Sequence, residues 1–285
     1  MSQADPALWG FASMFAWGVG DMLGRYAALR LGSQYVALMV LGLGIAPPLL
    51  MWLSQGATYD AQTGGDFVAL TALSGLLFSL AYVVFYRGLE RGLVSIVSPL
   101  SASYLVVTTI LTAIFFDEVV GPLKWFLISV ILAGIVLTST RGKSYGAING
   151  LRYGITTMML IGVAFTMWKP IVEDVGPFLA VVSVRLMATV FLGIYIKARR
   201  TVRLPFSKRA VVLVIGAGAL DSLGFVAFNM GIDHNPVSVI IPIAAAYPVV
   251  TVALALVLLR ERVSRIQMVG IVTVLVGVIA FSATS

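Results

Sequence analysis

The sequence predicts an all-α integral membrane protein, with ten transmembrane helices arranged as two inverted five-helix repeats. Three observations carry this: the composition, the charge-free apolar runs and an internal repeat. Hydrophobic residues make up 60% of the 285, charged residues only 11%, and the mean hydropathy is +1.02. Soluble domains carry about 25% charge, so a chain this apolar cannot cover its own surface in water. That excludes a soluble enzyme, and it excludes a disordered chain, which needs low hydrophobicity and high charge. Cysteine is absent, which removes disulfides, thiolate metal sites and Cys nucleophiles, and the single histidine, His234, leaves no His-rich metal cluster.

A bilayer core of about 30 Å takes about 20 apolar residues at 1.5 Å each. Residues 31–59, 67–86, 92–116, 235–259 and 266–285 reach that length without a charge. Taken in order, the predicted helices are 7–29, 35–54, 67–88, 95–116, 122–140, 149–172, 177–197, 208–231, 236–259 and 265–283. The first runs into too many others to be a cleavable signal peptide. The longest connections, 55–66 and 198–207, are too short for a separate domain.

Shifted by 143 positions, the chain pairs with itself without a gap from 75–139 onto 218–282, with 22 of 65 positions identical. The matches include Gly75/Gly218, Gly88/Gly231, Ser95/Ser238, Pro99/Pro242, Tyr104/Tyr247, Thr108/Thr251 and Glu118/Glu261. Chance similarity between apolar helices does not align Pro, Tyr, Glu and Gly in register. A shift of 144 aligns the 14–19 stretch with 158–163 and Arg25 with Lys169. The chain therefore divides at 1–144 and 145–285. An odd number of spans per half forces the halves into opposite orientations, which is a transporter architecture with its site near the midplane.

Outside the predicted helices, fifteen of the sixteen Lys and Arg fall on one side and only Lys124 on the other. By the positive-inside rule the basic side is cytoplasmic and both termini are outside. The basic loops are then topology anchors, and a nucleic-acid partner is not expected.

Ten helices in inverted halves, Trp17-Gly18 early in the first, Ser-x3-Pro-x4-Tyr opening the fourth and ninth, and Leu259-Arg260-Glu261-Arg262-Val263-Ser264 with Gln267, Gly270 and Gly277 beyond it resemble the EamA-like branch of the drug/metabolite transporter superfamily. The resemblance implies a metabolite carrier of the plasma (inner) membrane that works by alternating access. It also implies a central cavity lined mainly by helices 1, 3, 4, 6, 8 and 9. Two features depart from the family. The loop charges are reversed relative to many members. The first half has Asp117-Glu118 and Gly121-Pro122 where the second has Arg260-Glu261 and Ser264-Arg265.

Charges within a membrane are costly, about 2.5–3.5 kcal/mol at a helix centre, so five residues need an explanation: Asp21, Arg25, Lys169, Arg185 and Asp221. Arg25 and Lys169 are repeat mates near opposite membrane faces, placed either to snorkel or to act as gates. Trp17, Asp21 and Arg25 share one face at i, i+4 and i+8. Asp21 either pairs with Arg25 or lines the cavity and binds an amino group, another cation or a proton. Asp221 and Arg185 lie at similar depth on adjacent helices, as a buried pair or with Arg185 facing a substrate carboxylate. Phe225 and Asn229 continue the Asp221 face, and their mates are Tyr82 and Tyr86, with Phe78 the mate of Asp221. The substrate-binding set expected is Trp17, Asp21, Tyr82, Tyr86, Ser101, Tyr104, Phe225, Asn229 and Tyr247. Pro248 has no mate and leaves the Ala244 carbonyl without its usual donor, which is expected to give a packed kink in helix nine, a flexible point there, or a free carbonyl facing the cavity. Ser101 and Ser103 make helix four the polar wall, and Glu118 and Glu261 are expected in loop or helix-end contacts.

The leading function is secondary-active transport of a small polar metabolite, amino-acid-like first, in a monomer or homodimer, with no cofactor and with a coupling proton or ion. Sugar phosphates rank second, because they call for several cavity cations, and organic cations are a third choice. An intramembrane enzyme is not expected, since no His/Asp dyad, metal-ligand set or nucleotide loop is present in the sequence. A channel or a non-transporting subunit is the other class.

Overall fold

The computed structural model describes residues 6–54, 65–117, 119–139, 144–199, 207–234 and 237–284. Within them every regular element is a helix, because in lipid a helix satisfies its own backbone groups. In chain order these are α1 (Pro6–Leu31), α2 (Ser33–Leu43), α3 (Ala46–Ser54), α4 (Gly65–Arg91), α5 (Val94–Ala102), α6 (Tyr104–Phe115), α7 (Pro122–Ser139), α8 (Tyr145–Thr166), α9 (Trp168–Ala198), α10 (Lys208–His234), α11 (Val237–Ala245), α12 (Tyr247–Leu258) and α13 (Arg265–Ser282). Among the described residues, nine helical spans are long and apolar enough to cross a membrane. The 26-residue α1, which carries Asp21 and Arg25, is long enough to be the tenth crossing.

The expected spans are present, but several are not single helices. The second breaks at Gly44 and Ile45, the fourth at Ser103 and the ninth at Ala246. The sixth, expected to reach residue 172, stops at Thr166. A continuous helix there would drive the ring of Pro170 into the Thr166 carbonyl; the chain restarts at Trp168, which puts Pro170 in a first turn, where proline is tolerated. Gly176, at φ 76°, then separates this short stretch from the seventh crossing. The ninth span does bend where Pro248 was expected to kink it: the helix is interrupted at Ala246, two residues before the proline. It sits in the first turn of α12. The fourth span breaks at the same register, Ser103, without any proline there.

The irregular backbone positions come in repeat pairs. Gly32 and Gly176, 144 apart, have φ 81° and 76°; Asp117 and Arg260, 143 apart, both have φ 51°. The break residues Ser103 (φ −73°, ψ 6°) and Ala246 (φ −77°, ψ 2°) are also 143 apart. The packing repeats as well: α1 lies on α10 as α8 lies on α4, α1 meets α11 and α12 as α8 meets α5 and α6, and α7 packs on α13. Two glycines make these approaches close. A Cβ on Gly18 would lie 2.9 Å from the Tyr247 carbonyl, and one on its mate Gly162 would lie 3.0 Å from the Tyr104 carbonyl. The crossings that hold helices 1 and 6 against the broken helices thus depend on the missing side chain. The interior is apolar, with Met22, Ala27, Val36, Val40, Leu89 and Val97 among its buried side chains. The outer surface is apolar too, as lipid requires; Phe115, Val136, Val212 and Val257 point outward.

Candidate functional site

Between the halves lies a cavity of about 450 Å³. It reaches the face that bears the termini, at Trp168, Pro177 and Ser282. Toward the basic face it ends at Asp21, Tyr86 and Ala217, with the last turns of α1 and the first turns of α5 and α10 closed below. All nine residues expected in the substrate-binding set lie on its wall: Trp17, Asp21, Tyr82, Tyr86, Ser101, Tyr104, Phe225, Asn229 and Tyr247. Asp221 lines it as well. The expected helix set is extended by the seventh and tenth spans, which add Pro177, Val181, Val278 and Ser282.

The half-buried Asp21 does not pair with Arg25. Its Oδ2 accepts hydrogen bonds from Ser98 Oγ at 3.1 Å and Thr251 Oγ1 at 3.0 Å. One carboxylate therefore ties α1 to both broken helices, α5 and α12. Arg25 lies a turn nearer the basic face and donates instead to the carbonyls of Leu89 and, at 3.4 Å, Gly92. Those carbonyls close α4, where helical acceptors lack intrahelical donors. Nothing of the side chain of Lys169 falls within the described residues, and Glu118 lies outside them altogether.

Arg185 and Asp221 form a pair, Nη2 to Oδ2 at 2.7 Å. The guanidinium also lies 4.7 Å from the centre of the Phe225 ring, a cation–π position. Its Nη1 is buried without a hydrogen-bond partner. Asp221 takes a third restraint through its backbone, since Trp17 Nε1 donates to its carbonyl at 3.1 Å. Asn229 donates to the Phe225 carbonyl at 2.8 Å. The serines of helix four turn back on their own helix: Ser101 bonds Val97 and Ser103 bonds Pro99. Only Ser101 of the two lines the cavity.

The repeat makes the cavity two-sided. Asp21 has Phe165 as its mate, and Asp221 has Phe78. Both acids therefore sit on one side, near Trp17, Phe225 and Tyr247, while the other side is aromatic. There Tyr104 stacks on Phe165 at 4.9 Å and 17°, and Phe165 meets Phe78 at 5.4 Å and Trp168 at 5.3 Å. The sequence reading missed Phe165, Trp168, Phe85 and Phe228 as wall residues, and Ser98 as a partner of Asp21. Phe165 was discoverable, because the 144 shift that aligned Arg25 with Lys169 also sets it against Asp21. Glu261 makes the helix-end contact expected of it, on Val94 and Ser95.

Comparison with known proteins bears on the whole chain. A solved structure described as "Crystal structure of protein" superposes with a TM-score of 0.66 at 15% identity, covering 99% of this chain and 98% of that one; this likeness speaks to the fold. "Uncharacterized protein MJ1333.1" of Methanocaldococcus jannaschii is 24% identical over 132 residues, which are 46% of this chain and 95% of the relative. That relative is therefore about the length of one repeat. The model of the EamA-like transporter family matches twice, over residues 6–140 and 148–283. Those two matches fall on the two halves that the internal repeat and the paired backbone irregularities define, and the chain belongs to the EamA-like transporter family.

Proposed function

We propose that the chain is a secondary-active transporter which carries a small amine-bearing metabolite, amino-acid-like in the first instance, by alternating access through this cavity. The observation that carries the reading is the two-sided wall. Two carboxylates face an aromatic cluster, and no Lys or Arg is among the described lining residues. An amine seats against Asp21, its apolar body lies against the rings of Tyr104 and Phe165, and water is excluded by the surrounding aromatics. A sugar phosphate would need cations on the wall, so it falls behind. An organic cation without a carboxylate is the second reading, favoured because Arg185 is already engaged by Asp221. In this reading the moving bodies are the halves 1–144 and 145–285 with their first helices exchanged, a division supported by the packing of α1 on α10 to α12 and of α8 on α4 to α6, and they are driven by a proton, an ion or the substrate gradient. In this reading the protein lies in the plasma membrane, and the excess of Lys and Arg on one set of loops supports both termini outside. The test is a thermal-shift screen of purified protein with amino acids, organic amines and sugar phosphates. Stabilisation by amines or amino acids supports the reading, and stabilisation by sugar phosphates alone refutes it.

A further inference from the structure

A single turn on the basic face is gripped from both ends by opposite charges. Residues 92 and 93 connect α4 to α5. At the end of α4, Arg25 of the first helix donates to the carbonyls of Leu89 and Gly92. At the start of α5, Glu261 of the second half accepts from Val94 N at 2.8 Å through Oε1, and from Ser95 N at 2.9 Å and Ser95 Oγ at 2.7 Å through Oε2. Each charge matches the helix end it meets, anion at the N-terminus and cation at the C-terminus. Val94 and Ser95 are fully buried although they lie at a membrane face. The backbone of Arg260, held at φ 51°, turns the chain just before Glu261.

The grip lies below the closed end of the cavity, where α5 packs on α12. Opening the cavity on this face requires the start of α5 to part from the chain that follows α12. The side-chain hydrogen bonds of Glu261 to Val94 and Ser95 cross that seam and join the first half to the second.

We propose that Glu261 and Arg25 form the latch of the basic face: their hold on the 89–95 turn keeps this side shut, and its release lets the cavity open there. The proposal rests on the alternating-access reading above, and it assigns a gating role to a residue that otherwise reads as a loop contact. Charge-assisted bonds are the strong ones, so the latch favours the state that opens toward the termini.

The chain has no cysteine, so one introduced thiol reports accessibility without a background. Ala255, fully buried in α12 among Met22, Val94 and Val97, is the reporter behind the latch; Ile241, on the cavity wall in α11, reports the opposite side. Ala255→Cys and Ile241→Cys are made separately, each alone and with Glu261→Gln, Arg25→Gln or Ser95→Ala. The purified proteins in nanodiscs are labelled with a membrane-impermeant maleimide. The expected result is slow labelling of Ala255→Cys, rising about tenfold with Glu261→Gln or Arg25→Gln, the change that one charge-assisted hydrogen bond is worth. Labelling of Ile241→Cys falls in the same backgrounds. Ser95→Ala removes one bond of the three and gives a smaller rise; it carries the test if Glu261→Gln does not fold. Unchanged protection of Ala255→Cys in folded latch variants overturns the proposal, as does a parallel rise at both reporters, which signals loosening instead of a switch. Labelling needs no substrate, so failure of the latch leaves the transport reading standing, and failure of transport leaves the labelling result intact.

Discussion

Replacing Asp221 with Asn should destabilise the protein by stranding Arg185. The guanidinium side chain is 7% exposed and already has one nitrogen, Nη1, without a hydrogen-bond partner. Removing the partner of a buried charge costs about 3–5 kcal/mol when the pair is dry. The Asp221 side chain is 18% exposed and lines the cavity, and the Phe225 ring still shields one face of the cation. These put the loss near the lower limit, about 3 kcal/mol. With an unfolding entropy of about 2.1 cal/mol/K per residue over this chain, that loss lowers Tm by about 5 °C. The assay is thermal unfolding of purified variants in one detergent, followed by intrinsic fluorescence. Arg185→Gln added to Asp221→Asn should recover part of the loss, because two neutral amides replace a charge without its counter-ion. An Asp221→Asn protein as stable as the parent, yet inactive, would refute the structural role and assign Asp221 to the substrate instead.

Asp21→Asn should keep expression and Tm, since an amide oxygen still accepts from Ser98 and Thr251, but should abolish transport or its pH dependence; normal transport at every pH would contradict this. Tyr104→Phe and Tyr247→Phe should each weaken substrate binding in folded protein, and unchanged affinity in both would make these residues packing alone. A tag at the C-terminus should be accessible to an external protease in intact cells; accessibility only after lysis would reverse the proposed orientation.

The repeat was legible because Pro99/Pro242, Tyr104/Tyr247 and Gly88/Gly231 keep register over 65 positions. Of the helix breaks, only the ninth was, through Pro248. The fourth breaks at the matching Ser103 with Leu105 in place of Pro248, so that proline alone does not account for the shared bend. Proline drew attention to 248, where the second copy differs, although both copies break alike. The Arg185–Asp221 pair was readable because counting residues along adjacent helices places the two at one depth. The partners of Asp21 were not, since helical spacing favours Arg25, four residues away, while Ser98 and Thr251 are 77 and 230 residues distant. Which faces meet across the bundle decides such contacts, and a residue pattern along one helix does not carry that information. The two-sided wall was half legible: the acids stand out in an apolar chain and the repeat sets Phe165 against Asp21, whereas Trp168 looks like any membrane aromatic.

The central claim is that one cavity serves the two membrane faces in turn, which counterflow measures directly. Proteoliposomes are preloaded with an unlabelled ligand identified by the thermal-shift screen, and uptake of the same ligand in radiolabelled form is followed from outside. The account predicts saturable uptake and a transient accumulation above equilibrium that depends on the internal ligand. Flux that rises linearly with concentration and ignores the internal ligand would mark a channel and contradict the account.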